Sequence, residues 1–154
     1  MSDLEIRDAT LADLPAIVAM LADDPLGRTR EDPSLPLDPA YVAAFEAIAA
    51  NPDQRLLVAV EAGHVLGTLQ LAFLPGISRR GGWRGQIEAV RVARDRRGEG
   101  LGAQMVAWAV EQCRARGCVA VQLTSDASRT EAHRFWEAQG FRPSHKGFKL
   151  ELTC

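Results

Sequence analysis

Two arginines and three alternating glycines, Arg96-Arg97-Gly98-Glu99-Gly100-Leu101-Gly102, stand where a strand-like run gives way to a helical pattern. The run before them is Gln86 to Val92, and the pattern after them extends from Leu101 to Arg116. The first turn of a helix carries N–H groups without intrahelical partners, and the helix dipole makes that end positive. Glycines let a bulky anion come close to the backbone, and arginine adds charge and paired donors. Such a loop can hold a phosphate or pyrophosphate. The same residues also read as a tight glycine turn with two solvated arginines, so the rest of the chain has to decide.

Two nucleotide-binding patterns fit poorly. A P-loop needs Gly-x-x-x-x-Gly-Lys-Ser/Thr, and no such run exists here. A dinucleotide fold needs Gly-x-Gly-x-x-Gly directly after its first strand, with an acid about twenty residues on. Asp126 stands near the end of the next strand-like run, but the glycine spacing is Gly-x-Gly-x-Gly. Ala93 to Arg97 also separate strand from glycines, late in the chain.

The elements that must position this loop follow from periodicity and punctuation. Leu4 and Ile6 alternate with polar residues as a first strand. Thr10 reads as a cap for a helix carrying Leu14, Ile17, Val18 and Leu21. Asp23 to Pro39 is a loop, and a second helix runs from Pro39 to Ala50. Arg55 to Glu61 and Val65 to Phe73, joined by Ala62-Gly63, form a hairpin. Pro75 to Gly85 is a loop with Arg79, Arg80, Trp83 and Arg84. The helix after the glycines buries Leu101, Met105, Trp108, Ala109 and Cys113, and Gly117 stops it. Val119, Val121 and Leu123 alternate as a strand. Ser128-Arg129-Thr130-Glu131 has capping-box form and opens a helix to Gln139. Strands at Phe141 and over 148–152, with a turn at Pro143 to Gly147, complete the chain. The order β-α-α-β-β-β-α-β-α-β-β predicts one α/β domain over 1–154, built on a mixed sheet.

A formal net charge of −2 gives no support for a nucleic-acid or membrane-surface partner. The alternating, charged start is unlike a signal peptide, and no apolar run approaches a membrane span. Cys113, Cys118 and Cys154 are odd in number and lack metal-ligand spacing, so they read as reduced cysteines of a cytoplasmic protein without a metal site.

Arg97-Gly98-Glu99-Gly100-Leu101-Gly102 matches Arg/Gln-x-x-Gly-x-Gly/Ala, and it follows the Val90-Arg91-Val92 strand end. Ala132-His133-Arg134-Phe135-Trp136-Glu137-Ala138-Gln139-Gly140-Phe141 matches a helix ending in Phe-Tyr-Glu-x-x-Gly-Phe. With these two segments at this separation, the chain resembles the GCN5-related N-acetyltransferase (GNAT) superfamily over nearly its whole length. The resemblance implies a mixed, mainly antiparallel central sheet flanked by helices, with splayed central strands. It implies acetyl-CoA as donor, its pantetheine arm lying against the backbone of Val90 and Val92 and the Val90 N–H polarising the thioester carbonyl. The pyrophosphate would rest on Arg97 and the backbone from Gly98 through Glu99, Gly100 and Leu101 to Gly102.

Acetyl transfer to an amine calls for a base to take the amine's proton. Glu88 is the candidate, on the strand that lines the thioester, with its side chain on the same face as Val90 and Val92 by period-two counting. An ion pair to Arg84 or Arg91, or a substrate anchor, are its other readings. Two positions depart from the family. Trp136 stands where relatives often carry a tyrosine that protonates the leaving thiolate, and indole has no titratable proton in the useful range. Arg129 stands where many members carry asparagine. His133, one turn before Trp136, is either a proton shuttle or a packing residue.

The acceptor is expected to be the amine of a small molecule, with a protein N-terminus or lysine as alternatives. Asp23, Asp24, Glu31, Asp32 and Asp38 would suit a cationic amine, whereas Arg79, Arg80, Arg84, His145 and Lys146 would suit a carboxylate. A non-catalytic acyl-CoA-binding or sensing module on the same fold is the rival from another class. A homodimer is common in the family, but no residue pattern here requires one.

Overall fold

The computed structural model describes residues 3–153. Five strands form one sheet in the order β1-β2-β3-β4-β5: Glu5–Asp8, Gln54–Glu61, His64–Leu74, Arg84–Val92 and Ala120–Gln122. The first four are successively antiparallel, and β5 runs parallel to β4. The helices are α1 (Leu14–Ala22), α2 (Pro39–Ala49), α3 (Leu101–Ala115) and α4 (Thr130–Ala138). Leu57, Leu69, Leu71, Phe73 and Ile87 pack with Met105, Val106, Ala109 and Cys113 of α3 on one face of the sheet. Val58 and Val60 pack with Ile17 of α1 on the other. No helix among the described residues is long and apolar enough to cross a membrane.

The turn into α1 is held by charge. Asp13 is buried, and its carboxylate accepts from Arg7 Nη1 at 2.8 Å and Nη2 at 3.2 Å. It also accepts from the N–H of Thr10 at 2.7 Å and the hydroxyl at 3.1 Å. The Arg7 hydrogen bonds outweigh burial and keep the Asp13 carboxyl below its usual range. A carboxylate with a depressed folded-state pKa stabilises above its unfolded pKa, and that stability is lost as pH falls through the folded value. Asp13→Ala should therefore cost about 2 kcal/mol at pH 7. Urea unfolding should show the deficit shrinking below about pH 4. A constant deficit down to pH 2 would show that the carboxylate's charge is not what holds the turn.

Helix ends explain one departure from sequence expectation. At the end of α4, Gly140 has φ +93°, the Gly140 N–H donates to Glu137 O at 3.0 Å, and the Phe141 N–H donates to Trp136 O at 3.1 Å. This is the Schellman pattern, and its usual apolar contact is present as an edge-on Trp136–Phe141 pair with centroids 5.3 Å apart. Phe141 thus closes a helix instead of opening a strand. Residues 148–152 form no strand either: they are unpaired and exposed. At the start of α4, the expected capping box is absent, because the Ser128 hydroxyl donates to Asp126 Oδ1 at 2.6 Å.

Candidate active site

Strand β4 pairs with β5 only over Arg84–Gln86, opposite Ala120–Gln122. From Ile87 to Val92 its edge toward β5 carries no strand among the described residues, because β5 ends at Gln122, opposite Gln86. On its other side β4 has a bulge. Gln70 stands opposite Glu88 and Thr68 opposite Arg91, which leaves Ala89 and Val90 facing Leu69 alone. Ala89 sits there at φ +53°, an uncommon conformation for a residue with a side chain.

The bulge corrects the parity expected from sequence. Ile87 is buried against α3, and Val90 packs on the same core. Val92 reaches toward Gly102 at the start of α3. Glu88 instead lies on the opposite face with Gln86. There it lines an open cleft of about 390 Å³ with Gln54, Gln70, Ala72 and Leu74. Each extra residue in a strand moves everything after it to the other face, so counting by twos failed between Glu88 and Val90.

Glu88 is exposed and has no ion pair or hydrogen bond among the described residues. Its two suggested partners are engaged elsewhere. Arg84 Nη1 donates to Gln122 Oε1 at 3.4 Å. Arg91 Nε stands 2.9 Å from Asp24 Oδ2, off the line of a hydrogen bond, so that pair is one of charges. Burial lowers the Arg91 pKa, offset in part by Asp24. The glutamines of the cleft were not singled out from sequence. Their signal was polar side chains at facing positions of apolar strands, and Gln122 Nε2 donates to Gln86 Oε1 at 2.9 Å.

The glycine loop adopts the conformation its residues allow. Gly98 and Gly100 have φ +83° and +82°, and a Cβ on either would meet no protein atom within 4 Å. The first bond into α3 runs from the Gln104 N–H to Gly100 O at 3.1 Å. The N–H groups of Gly98, Glu99, Gly100, Leu101, Gly102 and Ala103 find no protein acceptor among the described residues. Gly102 differs from its neighbours in the loop, since a Cβ there would touch the Phe135 ring at 3.4 Å. The two arginines also differ. Arg96 is held by Glu61 at 2.7 Å and Glu99 at 3.0 Å, which raise its pKa. Arg97 is half-exposed beside the loop, and its Nε donates to Val92 O at 3.2 Å. Arg91 Nη1 donates to Val90 O at 3.0 Å. Each of these carbonyls keeps a second lone pair.

The acidic first loop is spent on structure. Asp23 pairs with Arg94 and stands 3.8 Å from Arg97. Asp24 accepts from the Gly27 N–H at 2.6 Å. Glu31 accepts from the Tyr41 hydroxyl at 2.8 Å, Asp32 from Ser34, and Asp38 caps α2. His133 Nε2 donates to Asp126 O at 2.8 Å, tying α4 to the preceding loop. Trp136 is wedged edge-on between Phe135 and Phe141.

Comparison with known proteins agrees with this geometry. The family model described as the acetyltransferase (GNAT) family matches residues 18–141. An aminoalkylphosphonate N-acetyltransferase of Salmonella typhimurium is 29% identical over 96% of this chain and 91% of its own length. An L-methionine sulfoximine/L-methionine sulfone acetyltransferase of Pseudomonas aeruginosa is 35% identical over 84% of this chain and 76% of its own. Among solved structures, one titled as a transcriptional regulator from Bacillus halodurans C-125 superposes with TM-score 0.95 at 44% identity, covering 97% of this chain and all of that one. The chain belongs to the acetyltransferase (GNAT) family, and its activity is that of an N-acetyltransferase.

Proposed function

We propose that the protein transfers acetyl from acetyl-CoA directly to the primary amine of a small molecule, with Glu88 as general base. The observation that carries this reading is an unpaired carboxylate in a cleft of amide side chains, on the strand whose edge is open beyond its pairing with β5. The thioester supplies the activated acetyl group. The N–H groups at Gly98, Glu99, Gly100, Leu101 and Gly102, with Arg97, suit a pyrophosphate in number and charge. The open edge of β4 at Val90 and Val92 suits the amide-bearing pantetheine arm, and the bulge at Ala89 re-aims the backbone there. Glu88 takes the ammonium proton, directly or through water, while the glutamines orient the acceptor. An aminoalkylphosphonate and L-methionine sulfoximine are both small amines that carry an acid group. Arg84, two residues before Gln86 on the same strand, offers a charge for such a group.

Thiolate departure proceeds without a protein acid in this reading. Tyr41 is the only tyrosine, and its hydroxyl donates to Glu31 and accepts from the Asp32 N–H. Trp136 has no titratable proton, and the Nε2–H of His133 is committed to Asp126 O. A thiol pKa near 8.5 makes thiolate a tolerable leaving group. Trp136→Phe should therefore keep its turnover within about threefold, losing ring contact worth roughly 1 kcal/mol. A loss of about 10²-fold with folding and acetyl-CoA binding intact would give the indole a catalytic part.

The whole reading is tested by free-thiol release from acetyl-CoA across a panel of amines, amino acids, aminophosphonates and peptides. Release that depends on one small amine supports it. Release with peptides alone would move the acceptor to protein N-termini or lysines. Binding of acetyl-CoA without release for any amine would make the chain an acyl-CoA-binding module.

A further inference from the structure

The glutamines that line the cleft beside Glu88 are not equivalent. Gln54 and Gln70 make no side-chain hydrogen bond among the described residues, so either end of their amides can turn to a ligand. Gln86 is held. Its Oε1 accepts from Gln122 Nε2 at 2.9 Å, and Gln122 Oε1 in turn accepts from Arg84 Nη1 at 3.4 Å. Arginine only donates, so it fixes which end of the Gln122 amide faces it. Gln122 then has its amino group left for Gln86, and Gln86 turns its oxygen to that group. What remains for the cleft is the pair of N–H donors on Gln86 Nε2.

The sheet register sets these side chains in rows. Gln86 stands opposite Ala72 on β3 and Gln122 on β5, Glu88 opposite Gln70, and Arg84 opposite Leu74. Alternate residues of a strand share a face, so Arg84, Gln86 and Glu88 project to the same side. At a rise of about 3.3 Å per residue, the Cα atoms of Gln86 and Glu88 are roughly 7 Å apart. The cleft therefore accepts at one end, at Glu88, and donates at the other, at Gln86 with the Arg84 guanidinium beside it. Ala72 between them is small and apolar, which suits a short carbon spacer.

We propose that Gln86 selects the acceptor: its Nε2 donors take an oxygen of an acid group carried a few atoms from the reacting amine, and Gln122 and Arg84 are positioning residues that hold the Gln86 amide in that sense. This rests on the acetyl-transfer reading above, with the amine at Glu88. Arg84 keeps further N–H groups and its charge for the same acid group. A plain alkylamine fills the Glu88 end and leaves the Gln86 donors without a ligand, which is how a site built to hydrogen-bond one substrate discriminates against its apolar analogue.

Thiol release from acetyl-CoA with aminoethylphosphonate, β-alanine and propylamine tests this, because the three share an amine and a spacer and differ only at the far end. The parent should favour the better acid over propylamine by about tenfold or more in kcat/KM. Gln122→Glu reverses the relay. Its two oxygens only accept, so Gln86 must donate to one of them and turn its own oxygen into the cleft. In that variant the KM for the favoured acid should rise about tenfold or more with kcat within about threefold, and the preference over propylamine should collapse. Ethylphosphonate, which has the acid and no amine, gives a reading that needs no variant: it should compete with the acceptor in the parent. Three outcomes overturn the proposal. A parent that acetylates small amines with no gain from an acid group and no competition by ethylphosphonate leaves acetyl transfer standing and removes Gln86 from recognition. A folded Gln122→Glu that keeps the parent's preference places the acid group elsewhere. No release with any small amine removes the acetyl-transfer reading and this one with it.

Discussion

Glu88→Gln is expected to lower turnover at pH 7 by about 10²-fold or more and to leave acetyl-CoA affinity within about twofold. Glu88 holds no partner, so the amide should fit without disturbing the sheet. What is lost is basicity. An alkyl ammonium with a pKa near that of lysine, about 10.4, is neutral in only on the order of one molecule in a thousand at pH 7. The base matters most there. Each unit of pH raises the free amine about tenfold, so the variant should approach the parent as pH rises toward 9.5. Steady-state thiol release over pH 6.5 to 9.5 reads this directly. If Glu88 only anchors the ammonium, the acceptor KM rises and kcat stays. Normal kcat and KM over the whole range would leave Glu88 without a part in the reaction.

Local signals made most of the framework legible. The hairpin at Ala62-Gly63, the helix from Leu101 and its stop at Gly117 lie where apolar period and glycine punctuation put them. So does the glycine loop, because left-handed glycines before a helix leave donors free whatever surrounds them. Three features were hidden because they depend on contacts that period and composition do not reveal. The bulge at Ala89 arises from register against Thr68 to Gln70, and nothing in Glu88-Ala89-Val90 announces it. Gly140-Phe141 suits a strand start and a Schellman cap alike, and the Trp136 ring decided in favour of the cap. Alternation in 148–152 suits a strand, but a strand also needs a partner edge, and this segment pairs with none among the described residues. The acidic loop failed for another reason. Composition counts carboxylates, whereas function needs unpaired ones, and Asp23, Asp24, Glu31, Asp32 and Asp38 all have partners within the fold.

Gly100→Val is expected to weaken acetyl-CoA binding by about a hundredfold or more while the protein still folds. Gly100 has φ +82°, and a Cβ there meets no protein atom within 4 Å. The protein itself therefore has room for a side chain, and the conflict lies with the backbone and the anion. A β-branched residue in the left-handed region is strained by about 1–3 kcal/mol. If the backbone turns to relieve that strain, the N–H groups between Gly98 and Ala103 no longer converge. Each charge-assisted hydrogen bond to an anion is worth about 1.5–3 kcal/mol, so losing two accounts for a hundredfold or more. If the backbone holds, the valine methyls occupy the space in front of those donors. Acetyl-pantetheine separates this from a general defect, because it keeps the thioester and lacks the pyrophosphate. The variant should lose kcat/KM for acetyl-CoA and keep it for acetyl-pantetheine, with thermal unfolding lowered by only several degrees. Equal losses with both donors would mean that the loop supports the thioester end. No loss with either would remove the pyrophosphate from the start of α3 and return the glycines to a plain turn.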